Sequence, residues 1–137
     1  MGYYIGIDLG TSACKLLLVD ERGQIHNERT KEYPLEFPRP GWSQQDPADW
    51  KRAIMEGIPE LLRDFDGKDV VGIGAGGQMH GLVVLDENDN VIRPAILWND
   101  GRTAKQVEYL NGDIGKEKLS ALTANIAFAG FTAPKIL

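Results

Sequence analysis

The chain has 137 residues, the usual size of one domain and too few for a two-domain enzyme. With 42% hydrophobic and 26% charged residues, it can bury a core and has the composition of a globular protein. The net charge of -5 argues against nucleic acid or an anionic membrane as a general partner, because no basic field attracts either. A local phosphate site stays open, since it needs only backbone N–H groups, a metal ion and one or two cations.

The cysteine count and the N-terminus narrow the class further. Cys14 is the only cysteine, which excludes an internal disulfide and a zinc site built from cysteines. The opening sequence MGYYIGIDLG has no basic stretch followed by a long apolar run, so we expect no signal peptide. The apolar stretches are too short to span a bilayer. We therefore expect a cytoplasmic protein with small-molecule ligands.

Three consecutive strands are predicted at the start of the chain. Residues 3–9 are apolar and rich in strand formers, and residues 15–19 resume the apolar run after a turn of small residues. A polar turn then leads to residues 24–33, where polar and apolar residues mix as in a strand with one face in water. The short connections favour antiparallel pairing, because a parallel return needs a crossover of about a dozen residues.

A helix is predicted after the proline-rich connection at residues 34–41. Asp46 can cap it, Pro47 suits its first position, and Asp49 is favoured at the positive end of the helix dipole. Gly57 and Pro59 conflict with an unbroken helix, so we expect a kink or a restart there. The apolar face would consist of Trp50, Ile54, Ile58, Leu61, Leu62 and Phe65.

Shorter elements are expected in the second half of the chain. The patterns predict strands at 70–75 and 82–85, an extended segment at 91–98, and helices at 103–110, 116–122 and 132–137. This order of strands and helices predicts an α/β domain with a mixed sheet. The chain ends on apolar residues without a cap, so we expect it to be a truncated part of a longer protein.

The turn after the first predicted strand has the residue types of a phosphate site. Gly10 allows close approach of the backbone to a ligand, and Thr11 and Ser12 add hydroxyl donors to the N–H groups of the turn. Asp8 can orient the waters of a magnesium ion, and Lys15 can bring a positive charge to the same phosphates. An ordinary β-hairpin with a capped turn explains the same pattern. The P-loop and the dinucleotide-binding glycine motif are absent.

The segment GQMHG, residues 77–81, interrupts two apolar runs and contains groups suited to a sugar. Gln78 and His80 offer donors and acceptors for hydroxyl groups, and Met79 is a flexible apolar filler for a pocket wall. The alternative for a single histidine of this kind is a purely structural role.

A second polar cluster follows in PAILWNDGR, residues 94–102. Trp98 offers a flat face for the C–H side of a sugar, and Asp100 and Arg102 gather polar groups where a strand leads into a helix. A buried tryptophan beside a helix cap is the alternative interpretation.

The segments IGIDLGTS with its following lysine, GQMHG, PAILWNDGR and GFTAPK, in this order, resemble the FGGY family of carbohydrate kinases over residues 4–137. The resemblance implies the actin-like ATPase (ribonuclease H-like) fold. Residues 1–137 would form the N-terminal part of the first domain, with the second domain absent. The motif spacing is similar to that of the family branch that phosphorylates xylulose. Glycerol-phosphorylating members usually carry Arg-Glu in place of Met79 and His80.

The resemblance also implies ligands and roles. ATP and Mg²⁺ are the implied cofactors, with Asp8 as the supporting catalytic and metal-site residue and a sugar as the other small-molecule partner. The catalytic base and the adenine pocket would lie beyond residue 137, so the chain alone is expected to be inactive. No nucleic acid or membrane partner is implied, and a homodimer of the complete enzyme is compatible with it. The implied phosphate-site residues are Gly10, Thr11, Ser12 and Lys15, and the implied sugar-site residues are Gln78, Met79, His80, Trp98, Asp100 and Arg102. Asp100 and Arg102 have an alternative role in holding their loop.

The expected reaction of the full-length enzyme is ATP-dependent phosphorylation of D-xylulose to D-xylulose 5-phosphate. Gluconate and ribulose are alternative sugars within the same family. A different class is a non-catalytic ATP-binding module of the actin or heat-shock chaperone type, and a third is a stand-alone sugar-binding or structural domain. The polar sugar-type segments argue against the last two.

Overall fold

The computed structural model describes residues 2–137. These residues divide into two compact units, which are described separately. Among these residues, the first unit comprises 2–34 and Pro47–Gln78, and the second comprises Leu35–Asp46 and Met79–Leu137. Within residues 2–137, no helix has the length and apolar character needed to cross a membrane.

The first unit is a four-stranded mixed sheet. Its strands are β1 (Tyr3–Leu9), β2 (Ala13–Asp20), β3 (Ile25–Glu32) and β5 (Val70–Gly77). They lie in the order β3-β2-β1-β5. The first three pair antiparallel, as their short connections predicted, and β5 pairs parallel to β1. The parallel pair is possible because a long crossover with a helix separates its two strands.

Helix α1 (Pro47–Leu61) packs on β2 and β3 and closes the core of the first unit. The helix is continuous, so the predicted restart at Gly57 and Pro59 is wrong. A Cβ at Gly57 would overlap the fully buried side chain of Leu16, so glycine allows the helix to approach the sheet. Pro59 lies in the last turn of the helix. The core consists of Ile5, Cys14, Leu16, Leu18, Tyr33, Ala53 and Leu61, with the predicted apolar face of the helix packed against it.

The second unit has little regular sheet. Strand β4 (Gln44–Gln45) pairs antiparallel with β6 (Ala95–Ile96). The strand predicted at 82–85 is wrong, and most of the predicted extended segment at 91–98 is irregular. Only isolated bridges join Leu82 to Ile96 and Leu85 to Val91.

Three short helices complete the second unit. Helix α2 (Ala104–Glu108) ends earlier than predicted and passes into a wider turn at Tyr109–Asp113, where the Ile114 N–H donates to the Tyr109 carbonyl. The other two, α3 (Lys116–Thr123) and α4 (Ala133–Ile136), lie where the sequence predicted helices.

Candidate functional site

The β1–β2 turn, residues 10–12, is a tight connection held from two directions. The Gly10 N–H donates to the Ala13 carbonyl at 3.0 Å, and a Cβ on Gly10 would stand only 3.0 Å from that oxygen. The Gly10 carbonyl accepts hydrogen bonds from the Tyr33 hydroxyl at 2.5 Å and the Gln78 side-chain amide at 3.4 Å. The Tyr33 N–H also donates to the Ser12 carbonyl at 3.2 Å. The turn is therefore fixed by its neighbours before any ligand binds.

Tyr33 makes this support pH-dependent. Burial, with smaller contributions from the nearby Cys14 and Asp8, raises the pKa of the Tyr33 hydroxyl to about 12. In the unfolded chain a tyrosine ionises near about pH 10. The stabilisation from Tyr33 is thus fully present below pH 10 and is lost as the pH rises towards 12.

We expect Tyr33→Phe to lower the melting temperature of the full-length protein by a few degrees near pH 8, since one buried hydrogen bond is worth about 1 kcal/mol. The difference from the unmodified protein should shrink steadily above about pH 10. Thermal melts across this pH range measure it, with Tyr4→Phe as a control because Tyr4 is exposed. A difference that stays constant up to pH 11 would contradict the assignment.

One face of the first unit's sheet carries a cavity of about 410 Å³. Asp8 and Lys15 are cross-strand partners in the β1–β2 pair, so both project from this face. Gly6, Gly74 and Gly76 lie beside them. A Cβ on Gly74 or Gly76 would meet no other protein atom, so these glycines leave open space above the strands. The cavity thus combines one carboxylate, one ammonium and accessible backbone, a set suited to phosphate groups with a metal ion.

The charges of this cavity are available to a ligand. Among residues 2–137, the Asp8 carboxylate has no hydrogen-bond or ion-pair partner. The Lys15 ammonium lies 3.2 Å from the Glu28 carboxylate, and the two side chains are 50% and 60% exposed. An ion pair this exposed contributes little to stability, so Lys15 can leave Glu28 for a phosphate at a small cost in free energy. Within the same residues there is no group of three or more His, Cys, Asp or Glu side chains that could hold a metal ion by itself.

An aromatic pocket of about 330 Å³ lies within the second unit. The His80 ring stacks on Phe131, with ring centroids 4.3 Å apart and planes 23° apart. Phe128 packs on Phe131 at 5.0 Å. The pocket is lined by Met79, His80, Trp98, Phe128, Gly130 and Phe131. Three predicted sugar-site residues therefore share one pocket, and its apolar walls suit the C–H face of a sugar while His80 supplies a polar nitrogen.

The floor of this pocket depends on a close backbone contact. A Cβ on Gly130 would overlap the carbonyl oxygen of Trp98 and lie 3.2 Å from the carbonyl carbon. Only glycine allows the two segments to approach this closely. The sequence did not identify Phe128, Gly130 or Phe131 as pocket residues. Gly130 and Phe131 were noted only within the GFTAPK segment, and Phe128 had no signal beyond its spacing of three residues from Phe131.

Asp100 and Arg102 form a buried pair in the second unit. The Asp100 carboxylate accepts from the Ser43 N–H at 2.6 Å and from the Arg102 Nε at 2.9 Å. Burial alone would raise the pKa of Asp100, but the hydrogen bonds from Arg102 and Ser43 outweigh it and hold the pKa below its usual range. The Arg102 guanidinium also donates to Gln44 Oε1 and lies 3.9 Å from the ring centroid of Trp42. Both side chains are engaged within the protein.

The predicted site residues therefore fall into three groups. Asp8 and Lys15 border the glycine-lined cavity, with Gly10, Thr11 and Ser12 in the adjoining turn, and Gln78 donates to that turn. Met79, His80 and Trp98 line the aromatic pocket. Asp100 and Arg102 pair with each other and brace residues 42–44.

Residues 3–137 match the FGGY family of carbohydrate kinases, N-terminal domain. A xylulose kinase from Staphylococcus xylosus is 44% identical over 137 residues, which cover all of this chain but 28% of that protein. A gluconokinase from Bacillus subtilis is 31% identical over 114 residues, covering 80% of this chain and 22% of that protein. The chain thus spans about a quarter of the length of these two curated relatives.

Among solved structures, a "xyloylose kinase" from Brucella ovis is 44% identical, with a TM-score of 0.88 over 98% of this chain and 28% of that one. The predicted mixed-sheet α/β fold of the actin-like ATPase type is confirmed by this likeness.

Proposed function

This chain belongs to the FGGY family of carbohydrate kinases, and we propose that it is the N-terminal part of the first domain of an enzyme that transfers a phosphoryl group from ATP to D-xylulose. The product is D-xylulose 5-phosphate. The observation that carries the choice of sugar is the 44% identity to a xylulose kinase over the whole chain, against 31% over 80% of it for a gluconokinase.

The ATP phosphates are assigned to the β1–β2 turn and the adjoining glycine-lined cavity. Gly10, Thr11 and Ser12 would contact the phosphates, and Lys15 would leave Glu28 to neutralise part of their charge. The support for this assignment is an exposed carboxylate and ammonium beside strands whose glycines leave the backbone open. Phosphoryl transfer depends mainly on such positioning and charge neutralisation.

A magnesium ion fits the same cavity through Asp8. Mg²⁺ keeps several waters and is typically bound by one or two carboxylates plus substrate phosphates. One unpartnered carboxylate beside a phosphate site meets that requirement. When bound, the ion supplies positive charge that stabilises the oxygens of the transferred phosphoryl group. Asp8 would hold waters of the ion, and its charge, committed there, would not be available for a general base.

The sugar is assigned to the aromatic pocket. His80 would hydrogen-bond a sugar hydroxyl, while Met79 and Trp98 contact the C–H face. Gln78 acts through the phosphate-binding turn. Asp100 and Arg102 are assigned the role of holding their loop, because they pair with each other and contact residues 42–44. The catalytic base and the adenine pocket belong to the part of the protein outside these 137 residues.

This proposal predicts a defined substrate preference. With ATP and Mg²⁺, the full-length protein should phosphorylate xylulose with a kcat/KM at least about tenfold above that for ribulose, gluconate or glycerol. His80→Ala should raise the KM for xylulose about tenfold or more, because a polar sugar group loses its partner. Release of ADP measures both, and the isolated 137-residue chain should release none above background.

Leu122→Ala is the matched control, since Leu122 is 75% exposed and lines no pocket described above. A higher kcat/KM for gluconate than for xylulose would show that the substrate is a six-carbon acid and not xylulose. ATP hydrolysis that no sugar stimulates would favour the non-catalytic module of the actin type.

The proposal extends to location and assembly. A cytoplasmic enzyme has direct access to ATP, and a homodimer is compatible with the family assignment. Cell fractionation tests the first, and light scattering on the full-length protein tests the second. Recovery in a membrane or extracellular fraction would contradict the cytoplasmic location, and a monomeric mass would contradict the homodimer.

A further inference from the structure

Lys135 in α4 is a buried cation. Its side chain belongs to a residue that is only 8% exposed, although lysine is among the residue types least often buried. The ammonium donates to two backbone carbonyls, that of His80 at 2.6 Å and that of Gly130 at 2.7 Å. Both acceptors belong to residues that line the aromatic pocket. This buried charge therefore links two residues of the pocket through their backbone carbonyls.

His80 has an uncommon backbone conformation. Its φ of 59° lies in the left-handed region, which a few per cent of non-glycine residues adopt, histidine more often than most. Such conformations persist where the surrounding structure holds them in place. The Lys135 ammonium fixes the orientation of the His80 carbonyl, and Phe131 fixes its ring by stacking. Lys135 and Phe131, which belong to one short segment, therefore hold the backbone and the ring of His80, the residue proposed to bind the sugar.

The Lys135 ammonium bonds backbone carbonyls, although charged side chains lie near it. Burial lowers the pKa of the ammonium, and nearby Arg102 lowers it further, whereas Asp100 opposes them. The Asp100 carboxylate is engaged by Arg102 and the Ser43 N–H. Lys135 thus has carbonyl oxygens as its hydrogen-bond acceptors, and the direction of its bonds is set by the two pocket segments.

We propose that Lys135 is a positioning residue for the sugar, which holds His80 in its left-handed conformation and ties it to Gly130. This rests on the proposed function, because it takes the sugar to bind at His80. Replacing a lysine that served only to stabilise the protein would change the KM values for both substrates alike. Replacing a positioning lysine changes the KM for the sugar and leaves the KM for ATP unchanged.

Steady-state kinetics of the full-length protein test the proposal. Lys135→Met keeps the length of the side chain but donates no hydrogen bond. It should raise the KM for xylulose about ten- to a hundredfold and change the KM for ATP less than about twofold. In a His80→Ala background, the same substitution should add less than about twofold, since the group it positions is gone. Lys118→Met, at an exposed lysine of α3, should change neither constant.

Equal increases in the two KM values, or a full additional effect in the His80→Ala background, would overturn the proposal. If Lys135→Met does not fold, Lys135→Gln replaces it. Because the glutamine amide can still donate to a carbonyl, we expect a smaller rise in the KM for xylulose, again without a matching rise in the KM for ATP.

A readout independent of turnover separates this proposal from the proposed function. A crystal structure of the full-length Lys135→Met protein, which has no donor at this position, should show His80 with a negative φ and its ring displaced from Phe131. A φ near 59° with the ring still stacked would overturn the role of Lys135 even if xylulose is the substrate. If no sugar is phosphorylated but His80 moves as expected, the structural role stands and the proposed function fails.

Discussion

Asp8→Asn in the full-length protein is expected to lower kcat for xylulose phosphorylation by about a hundredfold or more, with the KM for the sugar within about twofold. Asparagine keeps the size of the side chain but removes the charge that orients the waters of the magnesium ion. Because the Asp8 carboxylate bonds no other side chain or backbone group of residues 2–137, its loss should leave the melting temperature nearly unchanged. The effect is therefore expected to be catalytic and not structural.

The measurement is ADP release at saturating sugar, as a function of both ATP and Mg²⁺ concentration. High Mg²⁺ should recover part of the activity, because Asp8 acts through the waters of the ion. Asp64→Asn is the matched control, since Asp64 is exposed and does not line the cavity. A kcat within tenfold of the unmodified value would leave the β1–β2 turn as an ordinary hairpin. A selective rise in the sugar KM would instead place Asp8 at the sugar.

The sequence was most informative in the first unit, where each element is specified by its own residues. The three antiparallel strands follow from two apolar runs and a mixed polar and apolar segment, separated by short turns, and their ends were predicted to within about two residues. Gly57 shows where local patterns fail. Its conflict with the helix is resolved by Leu16, more than forty positions earlier, whose buried side chain occupies the space that a Cβ would need. No property of the helix sequence alone contains that contact.

In the second unit, pairing depends on distant partners and not on local patterns. Strand β4 is two glutamines that pair with β6, about fifty positions later, and a two-residue polar strand has no recognisable periodicity. Residues 82–85 have the apolar pattern of a strand but make only isolated bridges. Their β propensity was overridden by tertiary context.

The residues of the candidate site divide in the same way, into those recognisable from the local sequence and those that depend on distant contacts. Asp8, Lys15, His80 and Trp98 could be singled out because their chemistry and local setting suit phosphates or a sugar. Lys135 entered only as the last residue of the GFTAPK segment and without a role, because its contacts are two backbone carbonyls whose positions the sequence does not reveal.

Gly130→Ala is expected to have the second large effect, on the aromatic pocket. The added Cβ would overlap the Trp98 carbonyl, and backbone atoms cannot move aside as the end of a flexible side chain can. We expect a stability loss of about 1–3 kcal/mol, seen as a melting temperature several degrees lower. Because the Gly130 carbonyl also accepts from Lys135, the displacement should reach His80 as well.

The KM for xylulose should therefore rise about tenfold or more in Gly130→Ala, with the KM for ATP nearly unchanged. Gly112→Ala is the matched control, since a Cβ there meets no atom within 4 Å and its φ is not in the left-handed region. Thermal melts and kinetics with each substrate in turn distinguish the causes. A lower melting temperature with unchanged sugar KM would mean that Gly130 serves packing alone. A raised sugar KM would instead show that the close approach of its backbone to Trp98 sets the shape of the pocket.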